Sequence, residues 1–141
     1  MPTNTRFAVA IHLLTALAFV GDTRTSAELA KSVNTNPVFL RRILSRLVKA
    51  GLVNGQAGKK GGFGLARAAT SITLLDVYRA VAEDPLFSVH GNAEAKACPV
   101  SCSIKGVLSD VFERAEGAAA KELKRTRLSD ILAEVPAPAT P

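Results

Sequence analysis

Residues 25–67 read TSAELAKSVNTNPVFLRRILSRLVKAGLVNGQAGKKGGFGLAR. Thr25 followed by Glu28 is a capping-box pair, since hydroxyl and carboxylate each satisfy one backbone amide that has no partner at a helix start. A helix is therefore expected over Ser26–Ser32. Asn36 and Pro37 announce the next one: a side-chain cap, then a ring whose missing N–H costs nothing in the first turn. This second helix runs to Ala50 and stops at Gly51. Leu40, Ile43, Leu44, Leu47 and Val48 fall at helical spacing as a buried stripe, which leaves Val38, Arg41, Arg42, Ser45 and Lys49 on or beside the opposite face. Two helices joined by a short turn, the second carrying arginines outward, describe a helix-turn-helix. Leu52–Gln56 and Phe63–Arg67 then pair as two short strands around Ala57-Gly-Lys-Lys-Gly-Gly62, a wing whose glycines permit close approach to a duplex while Lys59 and Lys60 supply phosphate contacts.

The charge follows the same division. Residues 1–67 carry ten lysines and arginines against two acidic residues, whereas residues 68–141 carry eight against ten, for a net charge of +6. Seven of the cations lie between Pro37 and Arg67, where there is no acidic residue at all. That is the footprint expected where phosphates are neutralised. With 141 residues and 48% apolar content, the chain can bury one moderate core. It has no tryptophan and one tyrosine, too few rings for a single-strand stacking platform, so duplex DNA is the expected partner. Two cysteines make no disulfide framework and suit a reducing cytoplasm.

Outside this unit, Arg6 and the apolar run Phe7–Val20 imitate a secretory leader, with Ala16-Leu-Ala18 as a mock cleavage site. His12 and Thr15 interrupt the run, and Phe7, Ile11, Leu14 and Ala18 share a helical face. A first helix capped by Asn4 or Thr5 and ending at Gly21 is expected instead, and the run is too short to span a bilayer. After the wing, Thr73 and Asp76 repeat the capping pattern ahead of Leu74, Val77, Tyr78 and Val81, and Asp84-Pro85 closes that helix. Residues 84–102 form a long connection holding His90, Cys98 and Cys102. From Ser103 to about Arg125, Ile104, Val107, Leu108, Val111, Phe112, Ala115, Ala118, Ala119 and Leu123 recur at three-and-four spacing. A small winged domain cannot cover that stripe. A homodimer joined through this helix covers it and presents two reading helices to a palindromic operator. A last short helix over Leu128–Val135 is expected to fold back, and 136–141 to be a disordered tail. The fold class is thus mainly α: a winged helix-turn-helix (1–83), a sensing loop (84–102), a dimerisation helix with a C-terminal helix (103–135), and the tail.

The segments Ser26-Ala-Glu-Leu-Ala30, Phe39-Leu-Arg-Arg-Ile-Leu-Ser-Arg-Leu47, Ala50-Gly-Leu-Val53, Gly61-Gly-Phe-Gly-Leu-Ala-Arg67 and Ile72-Thr-Leu-Leu-Asp-Val-Tyr-Arg-Ala80, with Cys98-Pro-Val-Ser-Cys102 before the long helix, resemble the Rrf-two-type winged-helix transcriptional regulators, the IscR, NsrR and CymR group. The resemblance covers nearly the whole chain. It implies a homodimeric DNA-binding regulator, usually a repressor, in which Val38, Phe39, Arg41 and Arg42 match the residues that reach base edges. With the flanking polar and basic residues, the candidate DNA contacts are Asn36, Val38, Phe39, Arg41, Arg42, Ser45, Arg46, Lys49, Lys59 and Lys60. The paired arginines depart from the less basic residues of the iron-sulfur member and favour guanine or phosphate. Ala57 stands where that member has a wing arginine, which leaves minor-groove reading to Lys59 and Lys60.

The family's cluster-binding members offer three cysteines and a further ligand. This chain offers Cys98 and Cys102, with His90 as the nearest nitrogen donor. A two-iron cluster needs four ligands, so no cofactor is expected, with an iron-sulfur cluster as the alternative; a zinc site on the same three residues fits no common knuckle spacing. Thiol sensing is the preferred reading: Cys102 is expected at the helix start, where the dipole favours the thiolate, with Cys98 as resolving thiol. Inert buried cysteines and a small-molecule effector between loop and helix stay open. An enzyme is not expected. Cys-x-x-x-Cys is one residue longer than the usual redox pair, and Gly55-Gln-Ala-Gly-Lys-Lys60 has a lysine where a P-loop needs Ser or Thr. A protein-interaction adaptor on the same fold is the remaining class.

Overall fold

The computed structural model describes residues 3–59 and 61–137. Lys60 and the expected tail beyond Ala137 lie outside the described residues. The order is α1 (Thr3–Val20), α2 (Ser26–Val33), α3 (Pro37–Lys49), β1 (Val53–Gln56), β2 (Gly62–Leu65), a 3-10 turn (Ala69–Ser71), α4 (Leu74–Val81), α5 (Pro99–Arg125) and α6 (Leu128–Ala133). Mostly helical with one two-stranded antiparallel sheet, this is the winged helix that the sequence predicts.

Both capping boxes form: Thr25 with Glu28 opens α2, and Thr73 with Asp76 opens α4. The α2–α3 turn is made by Asn34, the only described non-glycine residue with positive φ (58°), a conformation that asparagine tolerates better than most. Asn36 caps α3 by accepting from the Val38 amide at 2.8 Å, with Pro37 in the first turn. At α1 the expectation fails. The helix already includes Thr3, so neither Asn4 nor Thr5 is its cap.

The core is built from Ala10, Leu13, Leu14 and Leu17 of α1, Leu29 and Ala30 of α2, Leu40, Ile43, Leu44 and Leu47 of α3, and Leu52, Val53, Ile72, Val77, Val81 and Leu128. The apolar run that imitates a leader is thus a core helix. Its buried line falls on 10, 13, 14 and 17 rather than on the 7, 11, 14, 18 face, of which only Leu14 is fully buried. Thr15 inside it satisfies its hydroxyl on the Ile11 carbonyl at 2.7 Å. Among the described residues, no helix is long and apolar enough to cross a membrane.

The hairpin pairs Val53 with Leu65 and Gln56 with Gly62. Arg24 extends it, exchanging two backbone bonds with Phe63 at 2.9 and 2.7 Å, so the wing is stitched to the segment before α2. A second stitch joins the C-terminal end of α5 to the start of α4: Leu74 N–H donates to Thr126 at 2.9 Å and Leu128 N–H to Ile72 at 2.8 Å. Beyond that clip α5 packs on α4, and none of its 27 residues is fully buried. The Tyr78 hydroxyl on α4 is pushed up from its ordinary value by burial and by the nearby Glu116 carboxylate of α5.

The connection to α5 is shorter than expected, because α5 starts at Pro99 and takes in residues 99–102. It is also pinned along its own helix. Phe87 stacks on Phe112 (5.6 Å between centroids) and donates its N–H to Glu116, the Asn92 carbonyl accepts from Lys105 Nζ at 2.6 Å, and the Ala95 N–H reaches Ser101 Oγ at 2.7 Å.

The close passage of β2 past Arg24 explains one glycine. A Cβ on Gly62 would meet the Arg24 carbonyl oxygen at 2.7 Å and its carbon at 2.9 Å, whereas one on Gly91 would meet nothing within 4 Å. Gly62→Ala is expected to lower unfolding free energy in urea by roughly 2 kcal/mol, and Gly91→Ala to stay within about 0.5 kcal/mol. Equal urea midpoints for the two would contradict this account of the wing.

Candidate nucleic-acid interface

The orientation of α3 follows from its stripe. Leu40, Ile43, Leu44 and Leu47 have no exposure at all, which turns Val38, Arg42, Ser45 and Lys49 to the far side and Arg41 to its edge. Val48, expected in the stripe, is 40% exposed, because the wheel carries it past the edge of the buried arc. Val38 is 55% exposed at the head of the helix. Val38, Arg41, Arg42, Ser45 and Arg46 line a shallow depression on this face. A flat, cation-rimmed surface of this kind suits a nucleic-acid backbone better than a buried small molecule.

The candidate contacts are not equally available. Arg41 Nε donates to the Pro37 carbonyl at 3.3 Å, one turn back on its own helix. Among the described residues, Arg42, Lys49 and Lys59 are exposed and have no ion pair with an acidic side chain. Arg46 does have one: it is held by Glu83 and also donates to the Val81 carbonyl at 3.1 Å, so its head group turns toward the end of α4. Phe39 is half-buried against the core and seats the helix instead of standing out from it. Asn36 spends its side-chain oxygen on the cap. Arg67, at the far end of the basic stretch, bonds the Ser71 carbonyl and faces Asp76 at 3.8 Å.

In the wing, Ala57, Gly58 and Lys59 are exposed, and the Gly61 amide closes the turn on the Gly58 carbonyl at 2.9 Å. Gly58 has φ 108°, a backbone that a side chain would strain. Lys60 lies outside the described residues. Glu83 went unnoticed in the sequence. It stands 37 positions from Arg46, and no local pattern announces a pair formed only by the packing of α4 on α3.

The cysteines sit differently from expectation. Cys98 is the N-terminal cap of α5, and Cys102 lies one turn inside, its N–H already bonded to the Cys98 carbonyl at 3.1 Å. No open amide therefore faces Cys102, and it is Cys98 that stands at the helix start. Both are free and exposed, so they are not buried in the core. The Cys102 thiol makes long contacts to the carbonyls of Ala95 and Lys96 at 3.7 and 3.8 Å. His90 is exposed on the connecting segment. Among the described residues, no three His, Cys, Asp or Glu side chains converge, so the donor set of one chain does not fit an iron-sulfur cluster or a zinc ion.

Capping makes a local prediction. Asn36→Ala should cost about 1 kcal/mol of unfolding free energy by fraying the first turn of α3, and Val38 with it. An unchanged urea midpoint would mean that the cap is not what positions this turn.

Comparison with known proteins agrees with this geometry. A family model described as Rrf2, iron-dependent transcriptional regulator, matches residues 3–134. YwnA of Bacillus subtilis, which carries the name of an HTH-type transcriptional regulator, is 43% identical over 131 residues, 92% of this chain and 96% of that one. A solved structure from Lactobacillus plantarum, described as a transcriptional regulator, superposes with a TM-score of 0.78 at 31% identity, covering 92% of this chain and 88% of that one. CymR, the global cysteine regulator of Bacillus subtilis, shares the fold with a TM-score of 0.70 at 21% identity, over 94% and 96% of the two chains. These likenesses are to regulators and not to enzymes. The chain belongs to the Rrf2 family of DNA-binding transcriptional regulators.

Proposed function

We propose that the protein is a homodimeric repressor that reads a palindromic operator with α3 and the wing and lets go of it when Cys98 and Cys102 are modified. The observation that carries the reading is the outward face of α3. Val38, Arg42, Ser45 and Lys49 stand exposed on it, with Arg41 at its edge, and no acidic side chain among the described residues pairs with them. In such a helix the arginines suit guanine O6 and N7 or phosphate, Val38 offers an apolar contact to a thymine methyl, and Lys59 and Lys60 follow the backbone beside the wing.

Dimerisation is supported by α5. Val100, Val107 and Val111 are 66%, 56% and 42% exposed, and with Ile104 they form one continuous apolar line along a helix without a buried residue. A second copy of that line would cover it and set two α3 helices on one side of a duplex.

For the switch, the support is two exposed thiols on successive turns at the free end of α5. A disulfide needs Cβ atoms about 3.8 Å apart, so a bond between Cys98 on the cap and Cys102 one turn inside constrains the first turn of α5, and a bond to the partner's thiols pulls two such ends together. With peroxide, one thiolate is oxidised to sulfenic acid as peroxide is reduced to water, and the second thiol displaces a further water to give the disulfide.

On a duplex selected from a random pool, Arg42→Ala should weaken specific binding by roughly tenfold or more. Lys59→Ala with Lys60→Ala should weaken binding to all sequences and flatten its salt dependence. Unchanged affinity in both variants would falsify the assignment. Val107→Glu is expected to shift the sedimenting species from dimer to monomer; a Val107→Glu dimer would place the interface elsewhere. Cys98→Ser with Cys102→Ser should keep DNA bound in peroxide, and normal release by that variant would remove the cysteines from the switch.

A further inference from the structure

Arg46 differs from the other cations of α3 in carrying its own counter-ion. It sits one turn beyond Arg42, as an i,i+4 neighbour on the helix surface, and it lines the same shallow depression as Val38, Arg41, Arg42 and Ser45. Its head group goes the other way. Nη2 pairs with one carboxylate oxygen of Glu83, and Nη1 donates to the Val81 carbonyl at 3.1 Å. The second Glu83 oxygen accepts from Arg6 Nη1 at 2.8 Å. One carboxylate, two residues past the end of α4, thus bridges α1 and α3.

The two halves of this bridge are unequal. The Arg6 side chain is 13% exposed, so its half of the bridge is the more sheltered from water. Arg46 and Glu83 are 34% and 43% exposed, and a pair so open to water is weakly held. A DNA phosphate offers a guanidinium the same charge-assisted hydrogen bonds as a carboxylate does. Glu83 also begins the segment that runs along α5 through Phe87, Asn92 and Ala95, so the acid facing Arg46 is carried by the part of the chain that joins the reading unit to the long helix.

We propose that Arg46 is a masked phosphate contact and that Glu83 is the mask. The proposal rests on the reading of α3 as the DNA-facing helix. Unmasking turns Arg46 outward beside Arg42 and adds one phosphate contact per protomer, while Arg6 keeps an acceptor if Glu83 is replaced by its amide.

The test measures binding of the full-length protein to a labelled mixed-sequence duplex across a salt series. Glu83→Gln is expected to bind roughly five- to tenfold more tightly near 0.1 M salt, with a log–log salt slope steeper by about 0.9 per bound protomer. Asp84→Asn removes the same charge one residue away and is expected to change affinity by less than about twofold, since it only relaxes a screened field. In the Glu83→Gln, Arg46→Gln double variant the gain disappears. Arg46→Gln alone is expected to leave the wild-type slope unchanged because the residue is masked, a readout that does not depend on how Glu83→Gln folds. The proposal is overturned by a wild-type slope in folded Glu83→Gln, by an equal gain in Asp84→Asn, by a gain that survives loss of Arg46, or by a flatter slope in Arg46→Gln. If Arg42→Ala weakens binding as expected while Glu83→Gln is silent, the mask alone falls. If Arg42→Ala is silent too, the reading of α3 falls with it.

Discussion

Four side chains on one side of α3 decide what the other side can do. Leu40, Ile43, Leu44 and Leu47 are wholly buried, and each such side chain contributes about 1.5–3 kcal/mol relative to exposure. Their sum is comparable to the roughly 5–15 kcal/mol that holds a typical domain folded. α3 therefore cannot roll about its axis without unfolding the unit, and the rotation that buries the leucines is the one that presents Val38, Arg42, Ser45 and Lys49 to solvent. A surface placed in this way, which we propose reads DNA, needs no further scaffolding of its side chains. The helix is aimed by its hidden face.

α5 obeys the opposite logic. It is clipped to the winged unit through Leu74, Thr126, Ile72 and Leu128 at one end, while its cysteine-bearing end makes contact mainly with its own incoming segment. The same incoming segment starts at Glu83, against the last turn of α3, so the two ends of the connection touch the reading helix and the thiols respectively.

Much of this was legible in the sequence because it is local. Thr25 with Glu28, Asn36 with Pro37, and Thr73 with Asp76 fix three helix starts within four residues of chain, and the leucine spacing fixes the rotation of α3. The glycines and lysines of the wing carry their meaning in the same way. The misreadings are also physical. Proline at position 99 suits the first turn of a helix, yet the run from Cys98 to Cys102 has too few apolar residues to show a period, so α5 was expected four residues late and Cys102 at its start. The Arg46–Glu83 pair depends on helices far apart in sequence, so nothing local in the sequence distinguishes Arg46 from Arg42. Val48 and Phe39 exchanged places for a related reason: a helical wheel says where a residue points but not how far the neighbouring helices reach around it.

We propose that α3 and the wing, and not α5, form the surface that meets DNA. Acetylation of surface lysines with and without duplex DNA, read out residue by residue by mass spectrometry, tests it directly, because both regions carry exposed lysines. Duplex DNA is expected to protect Lys49, Lys59 and Lys60 while Lys121 and Lys124 on α5 react as before. Protection of Lys121 and Lys124 with Lys49 and Lys59 left reactive would contradict it.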